Sequence, residues 1–169
     1  LLCALIAALA SDAVIRRKAM SEAMRLGLVG GTAALSLNVY PGAVADPDHG
    51  VPATLADAEA IGFPTERLLF EISETEPVEA PERLAADLVA LQRRGLRIAL
   101  DDAGTGHARL PLLLVWRPDG VKLAREVIMG LDREPLRAVR VRATLKYCEA
   151  FALVPGVEGV ETVGEFRAL

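Results

Sequence analysis

Short, almost wholly apolar runs alternate with helical stretches along this chain, and that alternation limits its fold more than any single motif does. Ala34 to Tyr40 reads as a strand stopped by Pro41-Gly42, and Leu68 to Glu74 reads as a second. A third apolar run, Leu96 to Leu100, leads into Asp101-Asp102; Gly120 to Leu123 and Phe151 to Val157 complete the set. Helical patterns lie between them. Ser11 to Leu26 places Ile15, Ala19, Ala23 and Leu26 on one stripe with Ser11 as cap, and Val51 to Ile61 is a weaker helix. Pro81 opens a stronger one, with Leu84, Leu88 and Leu91 on one face and Gly95 as its stop. A short helix is expected around Leu110 to Val115, and Leu136, Val139, Ala143 and Tyr147 mark another. Thr162-Val163-Gly164-Glu165 has the form of a capping box that starts a last helix.

Strands that are apolar on both faces belong to a parallel sheet covered by helices, so the fold class is α/β. Polar residues fall at the C-terminal end of nearly every strand: Asn38, Glu71 and Glu74, Asp101 and Asp102, Lys122, and Glu158. In a TIM-type barrel such ends converge on one mouth. In an open doubly wound sheet they would be strung along an edge, with a site only at the switch point. Five strands feeding one polar set favour the barrel. Gly104-Thr105-Gly106 has no third glycine at dinucleotide-binding spacing.

Composition narrows the function classes. At 169 residues a single domain, 1–169, is expected, and 52% hydrophobic with 25% charged residues argues against disorder. A net charge of -4 and 4% aromatics supply neither a basic surface nor a stacking platform, so no nucleic-acid partner is expected. Leu1 to Ala10 is apolar but too short to span a bilayer; it reads as a buried helix or an interrupted element, and no membrane segment is expected. Cys3 and Cys148 lack metal-ligand spacing and read as reduced, buried thiols of a cytoplasmic domain. His49 and His107 read as lone loop histidines outside any site.

Asp101-Asp102 is the most informative pair. Neighbouring strand residues face opposite sides, but at a strand end bending into Gly-x-Gly both carboxylates can turn toward one site. Two like charges placed together are costly without a cation between them. A metal explains the pair, and so does a solvated turn. Asn38, Glu71, Asp101 and Asp102 form an all-oxygen set suited to Mg²⁺, Mn²⁺ or Ca²⁺ rather than to thiolate-bound zinc. A nearby lysine could neutralise a phosphate oxygen, and a further glutamate could deprotonate a metal-bound water, which is equipment for phosphodiester hydrolysis. Sugar-acid lyases, other barrel enzymes and merely structural polar residues also fit this inventory.

Five ordered segments add a resemblance. Leu37-Asn38-Val39-Tyr40-Pro41, Phe70-Glu71-Ile72-Ser73-Glu74, Ala99-Leu100-Asp101-Asp102-Ala103-Gly104-Thr105-Gly106, Gly120-Val121-Lys122-Leu123 and Val157-Glu158-Gly159-Val160-Glu161-Thr162 closely resemble the EAL domain family in order and spacing. The resemblance runs from about Asn38 to the last residue. It implies a TIM-like (β/α) barrel of EAL type that hydrolyses cyclic di-GMP to the linear dinucleotide pGpG with Mg²⁺ or Mn²⁺. Carried over, it implies Asn38, Glu71, Asp101 and Asp102 as metal ligands, Lys122 as the lysine contacting water and phosphate, and Glu158 as general base. Glu74 and Glu161 correspond to acids that steady the loop after the Asp-Asp pair. No substrate-binding residue is assigned.

Departures from the family pattern shape the functional expectation. No Glu-Ala-Leu motif stands upstream of Asn38; by spacing it would precede residue 1, so the barrel is expected to lack its first strand. Ala124 stands where the lysine motif carries a metal-site aspartate, and Ala103 stands where a phenylalanine is usual. The last two strands of the family are also expected to be missing from this sequence. The resemblance therefore implies a bacterial cyclic di-GMP signalling domain with impaired or absent phosphodiesterase activity, acting as receptor or interaction module. The alternative is an active metal-dependent phosphodiesterase. Implied partners are cyclic di-GMP, other signalling domains of the same protein and a second copy as homodimer; the implied cofactor is Mg²⁺ or Mn²⁺ if the site functions, and otherwise none.

Overall fold

The computed structural model describes residues 2–30, 33–73, 78, 80–105, 113 and 115–169, with side chains from residue 12 onward. The chain divides into two compact units, Leu1–Ile72 with Glu76–Ile98, and Ser73–Thr75 with Ala99–Leu169. Five β-strands and six α-helices are assigned among the described residues, and the strand pairs within each unit are parallel. The α/β class read from the sequence is the class observed.

The first unit holds α1 (Leu2–Arg25), β1 (Leu35–Asn38), α2 (Val51–Ile61), β2 (Leu68–Ser73, up to Ile72) and α3 (Pro81–Arg93). Strands β1 and β2 pair in parallel from Leu35 opposite Leu68 to Asn38 opposite Glu71. Helix α1 packs on β1 and α2. It is one continuous element from Leu2, not a helix that begins at Ser11. Its buried stripe is also turned from the expected one: Arg16, Met20 and Ala23 face inward, whereas Ile15 is 60% and Leu26 57% exposed. Two stripes one residue apart differ by about 100° around a helix, and the inward one was hidden because it contains an arginine. That charge is tolerated because acceptors await it, as described below. Helix α2 closes at Gly62, whose φ of 70° suits the left-handed cap and whose N–H meets the Ala58 and Glu59 carbonyls. On α3 the inward face is Leu84, Leu88 and Leu91, as its spacing predicts.

The second unit holds β3 (Arg97–Ala103, from Ala99), β4 (Gly120–Leu123), α4 (Arg125–Ile128), α5 (Pro135–Ala150), β5 (Val154–Val157) and α6 (Val163–Ala168). Leu123, Ala124, Val127, Ile128, Leu131, Ala138 and Val141 form its buried cluster. Helix α5 corrects another expectation: it buries Ala138, Val141 and Cys148, while Leu136 is 68% and Val139 58% exposed. The small residues let the helix approach closely, and the larger apolar residues were the misleading signal. Strand β5 begins at Val154, because Ala152 takes a φ of 51° and turns the chain. Helix α4 was not foreseen, and the helix expected at Leu110 to Val115 lies mostly outside the described residues. The capping box is present in full: Thr162 accepts from the Glu165 N–H, and the Glu165 carboxylate accepts from the Thr162 N–H. Cys148 is buried and free; the Cys3 side chain and His107 lie outside the described residues.

Candidate functional site

In the first unit, Asn38 ends β1 and is exposed, and its register partner Glu71 on β2 is 6% exposed. One peptide plane links them. The Val39 N–H donates to the Glu71 carbonyl at 2.9 Å, and the Asn38 carbonyl of the same plane accepts from Arg16 Nη1 at 3.2 Å. Arg16 Nε donates to Thr54 Oγ1 at 2.9 Å, and Nη2 donates to the His49 carbonyl. The Thr54 hydroxyl in turn donates a hydrogen bond to the Gly50 carbonyl at 3.0 Å. Gly50 has no freedom to be larger, since a Cβ there would lie 2.0 Å from the Ala43 carbonyl oxygen. Burial lowers the Arg16 pKa, and the charges of Asp12 and Asp57 oppose that shift. His49 Nδ1 sits 3.3 Å from Asp46 Oδ1, three residues before it, a local turn contact. The Asp48 and His49 N–H groups hold the Asp46 carboxyl below its ordinary value.

In the second unit, Asp101-Asp102 sits in a β-bulge. Leu100 pairs with Val121 and Ala103 with Leu123, so two residues of β3 oppose the single Lys122 of β4. Asp102 absorbs the extra residue with a φ of 58°, a conformation that aspartate tolerates better than most residues. Its carboxylate accepts from the Ser73 hydroxyl at 3.0 Å, its N–H donates to Asp101 Oδ1 at 2.9 Å, and its carbonyl accepts from Thr105 Oγ1 at 3.3 Å. Bending at the strand end was expected; the device is a bulge within the strand.

Lys122 joins the acids of this unit. Its Nζ lies 3.4 Å from Asp101 Oδ1 and 2.5 Å from Glu158 Oε1. The Lys122 stem lies over Gly156, its register partner on β5; a Cβ on Gly156 would stand 3.1 Å from Lys122 Cγ. Glu161 meets Arg125 at 2.6 Å, and Gly159, with φ 69°, leaves room for the Arg125 stem that any Cβ would strike. Glu165 ties the loop carrying Glu161 to the turn before α5: its carboxylate accepts N–H bonds from Gly130 at 2.8 Å and from Glu161 and Thr162 at 3.0 Å. Those bonds, that from Gly130 first, hold its pKa at about 2. Ala124 caps α4 with no side-chain bond and is buried in the apolar cluster.

Asn38 and Glu71 are thus brought together in the first unit, and Asp101, Lys122 and Glu158 in the second; Glu74 lies outside the described residues. The reading from sequence missed Arg16, Ser73 and Gly156. Only Ser73 carried a local signal, a hydroxyl two residues after the candidate ligand Glu71 and next to Glu74. The donor set is all oxygen and suits a hard cation in type. Yet among the described residues no three His, Cys, Asp or Glu side chains gather where they could hold one ion.

The family description that matches this chain is "EAL domain", over residues 3–169. The blue light- and temperature-regulated antirepressor BluF of Escherichia coli is 26% identical over 155 residues, covering 92% of this chain and 38% of BluF. A standalone EAL protein of Vibrio cholerae, solved in its c-di-GMP-bound form, is 30% identical with a TM-score of 0.79 and covers 92% of this chain and 65% of its own. The manganese/cy-diGMP complex of Klebsiella pneumoniae BlrP1 is 28% identical with a TM-score of 0.81, over 93% of this chain and 40% of that one. The chain therefore spans less than two thirds of each of these proteins. The likeness identifies the α/β fold as the TIM-like barrel type seen in such domains. No described helix is long and apolar enough to cross a membrane.

Proposed function

This chain belongs to the EAL domain family, and from that premise we propose that it is a bacterial cyclic di-GMP signalling domain whose phosphodiesterase activity is impaired or absent, serving as receptor or interaction module. One observation carries the impairment: Ala124, at the place of the family's metal-site aspartate, is 1% exposed among Leu123, Val127 and Ile128 and offers no oxygen donor. Asn38, Glu71, Asp101 and Asp102 are assigned as the remaining metal donors, Lys122 and Glu158 as the remaining catalytic groups, and Glu74 and Glu161 as loop supports. Lys122, held against Asp101 and Glu158, can supply positive charge to a phosphate oxygen, and Glu158, half-exposed beside it, can accept a proton from water. A bound Mg²⁺ or Mn²⁺ would supply Lewis-acid charge. The role extends to the cytoplasm as location, to further signalling domains as partners and to a second copy of the chain as dimer. The bound dinucleotide in the Vibrio protein and the antirepressor role named for BluF support the receptor and module readings.

The test is incubation of the full chain with cyclic di-GMP and Mn²⁺, with chromatography of the products. The expected result is intact cyclic dinucleotide; rapid accumulation of pGpG would establish the active alternative. Calorimetry with the same ligand divides the two inactive roles, since micromolar binding marks a receptor and its absence an interaction module.

A further inference from the structure

We infer that Arg16 is a positioning residue for Asn38: by holding the Asn38 carbonyl, it sets the peptide plane from which that side chain projects at the end of β1. The inference rests on the assignment of Asn38 to the site proposed above. Arg16 lies on α1, 22 residues before Asn38, and is 4% exposed. All three of its nitrogens are engaged, with Thr54 Oγ1, the Asn38 carbonyl and the His49 carbonyl. A guanidinium stays charged throughout the working pH range and presents its donors in a fixed fork, so it imposes direction as well as cohesion. The Thr54 hydroxyl is in turn oriented by the Gly50 carbonyl.

The geometry at Asn38 is more specific than stabilisation requires. A peptide plane has two hydrogen-bonding ends, and both ends of the Asn38–Val39 plane are taken. Arg16 holds the carbonyl, and the Glu71 carbonyl holds the N–H at 2.9 Å. With both ends fixed, the Asn38 Cα is held in place relative to Glu71, its register partner, and the extended backbone of β1 then sets the Cα–Cβ direction. The clamp spans α1, the end of β1, α2 and the loop before it, so movement of α1 would reach the Asn38 carbonyl through this side chain as well as through packing on β1.

Side-chain Hα–Hβ couplings of Asn38, read by NMR on the full chain, test the inference. In the wild type they should report a single χ1 rotamer. Arg16→Lys and the isosteric Thr54→Val should both move them toward rotamer averaging, whereas Phe63→Leu, a core change away from the clamp, should leave them unchanged. Should Arg16→Lys fail to fold, Thr54→Val decides. Unchanged couplings in a folded clamp variant, averaging already in the wild type, or equal averaging in Phe63→Leu would each overturn the inference. Adding MnCl₂ to the wild type tests the site assignment separately: broadening at Asn38 supports it, and sharp signals count against it while the couplings still decide the role of Arg16.

Discussion

The strand ends of the two units are secured by different means. In the first, Asn38 and Glu71 are placed by backbone hydrogen bonds and by one buried guanidinium. In the second, Asp101 and Glu158 are gathered by the flexible Lys122, and Asp102 is held by a bulge and the Ser73 hydroxyl. The first arrangement is stiff and carries a permanent charge. The second depends on titratable, partly solvated side chains, which can exchange partners at low cost. Donor geometry thus resides in the scaffold of one unit, and charge balance in the side chains of the other.

Replacing the two cations should expose this contrast most strongly. Arg16→Met leaves the Asn38 and His49 carbonyls without their donor, and should lower unfolding stability by about 2–4 kcal/mol in a denaturant titration. Lys122→Met, at a partly solvated cluster, should cost less than about 1 kcal/mol in the same assay; equal losses would erase the distinction.

Glu165 gives the second unit a pH signature. Its folded pKa of about 2 lies below the ordinary 4.5, so its contribution is complete above about pH 4.5 and is lost as pH falls toward 2. Glu165→Gln should remove that part of the acid-side slope in thermal melts taken across this window, and an unchanged slope would assign it to other carboxylates. Thr162→Ala, which removes the other half of the capping box, should cost about 1 kcal/mol at neutral pH.

Much of this fold was legible because local rules and tertiary packing agree. The Thr162 capping box, the Leu84-Leu88-Leu91 face and the Gly120–Leu123 strand are cases where spacing alone determines the outcome. The faces of α1 and α5 were not legible. Arg16 points inward only because acceptors from distant residues meet it, and Leu136 and Val139 point outward because Ala138, Val141 and Cys148 let α5 pack closely. For the site, strand-end acids could be recognised one by one. The contacts of their supports could not, because Ser73 reaches Asp102 from 29 residues away and Gly156 accommodates Lys122 through the pairing of β4 with β5, which no spacing along the chain encodes.

Ala124 is where the account of impaired catalysis is most exposed, because one missing carboxylate is asked to separate this chain from a metal-dependent hydrolase. Calorimetric Mn²⁺ affinity of wild type and Ala124→Asp, with both shown to be folded, measures that difference directly; Asp can also cap α4, which Ala124 leaves without a side-chain bond. The account predicts weak binding by the wild type and an increase of about tenfold or more in the variant, on the scale by which metal-site partners alter affinity. Tight binding by the wild type, or no gain in a folded Ala124→Asp protein, would contradict it.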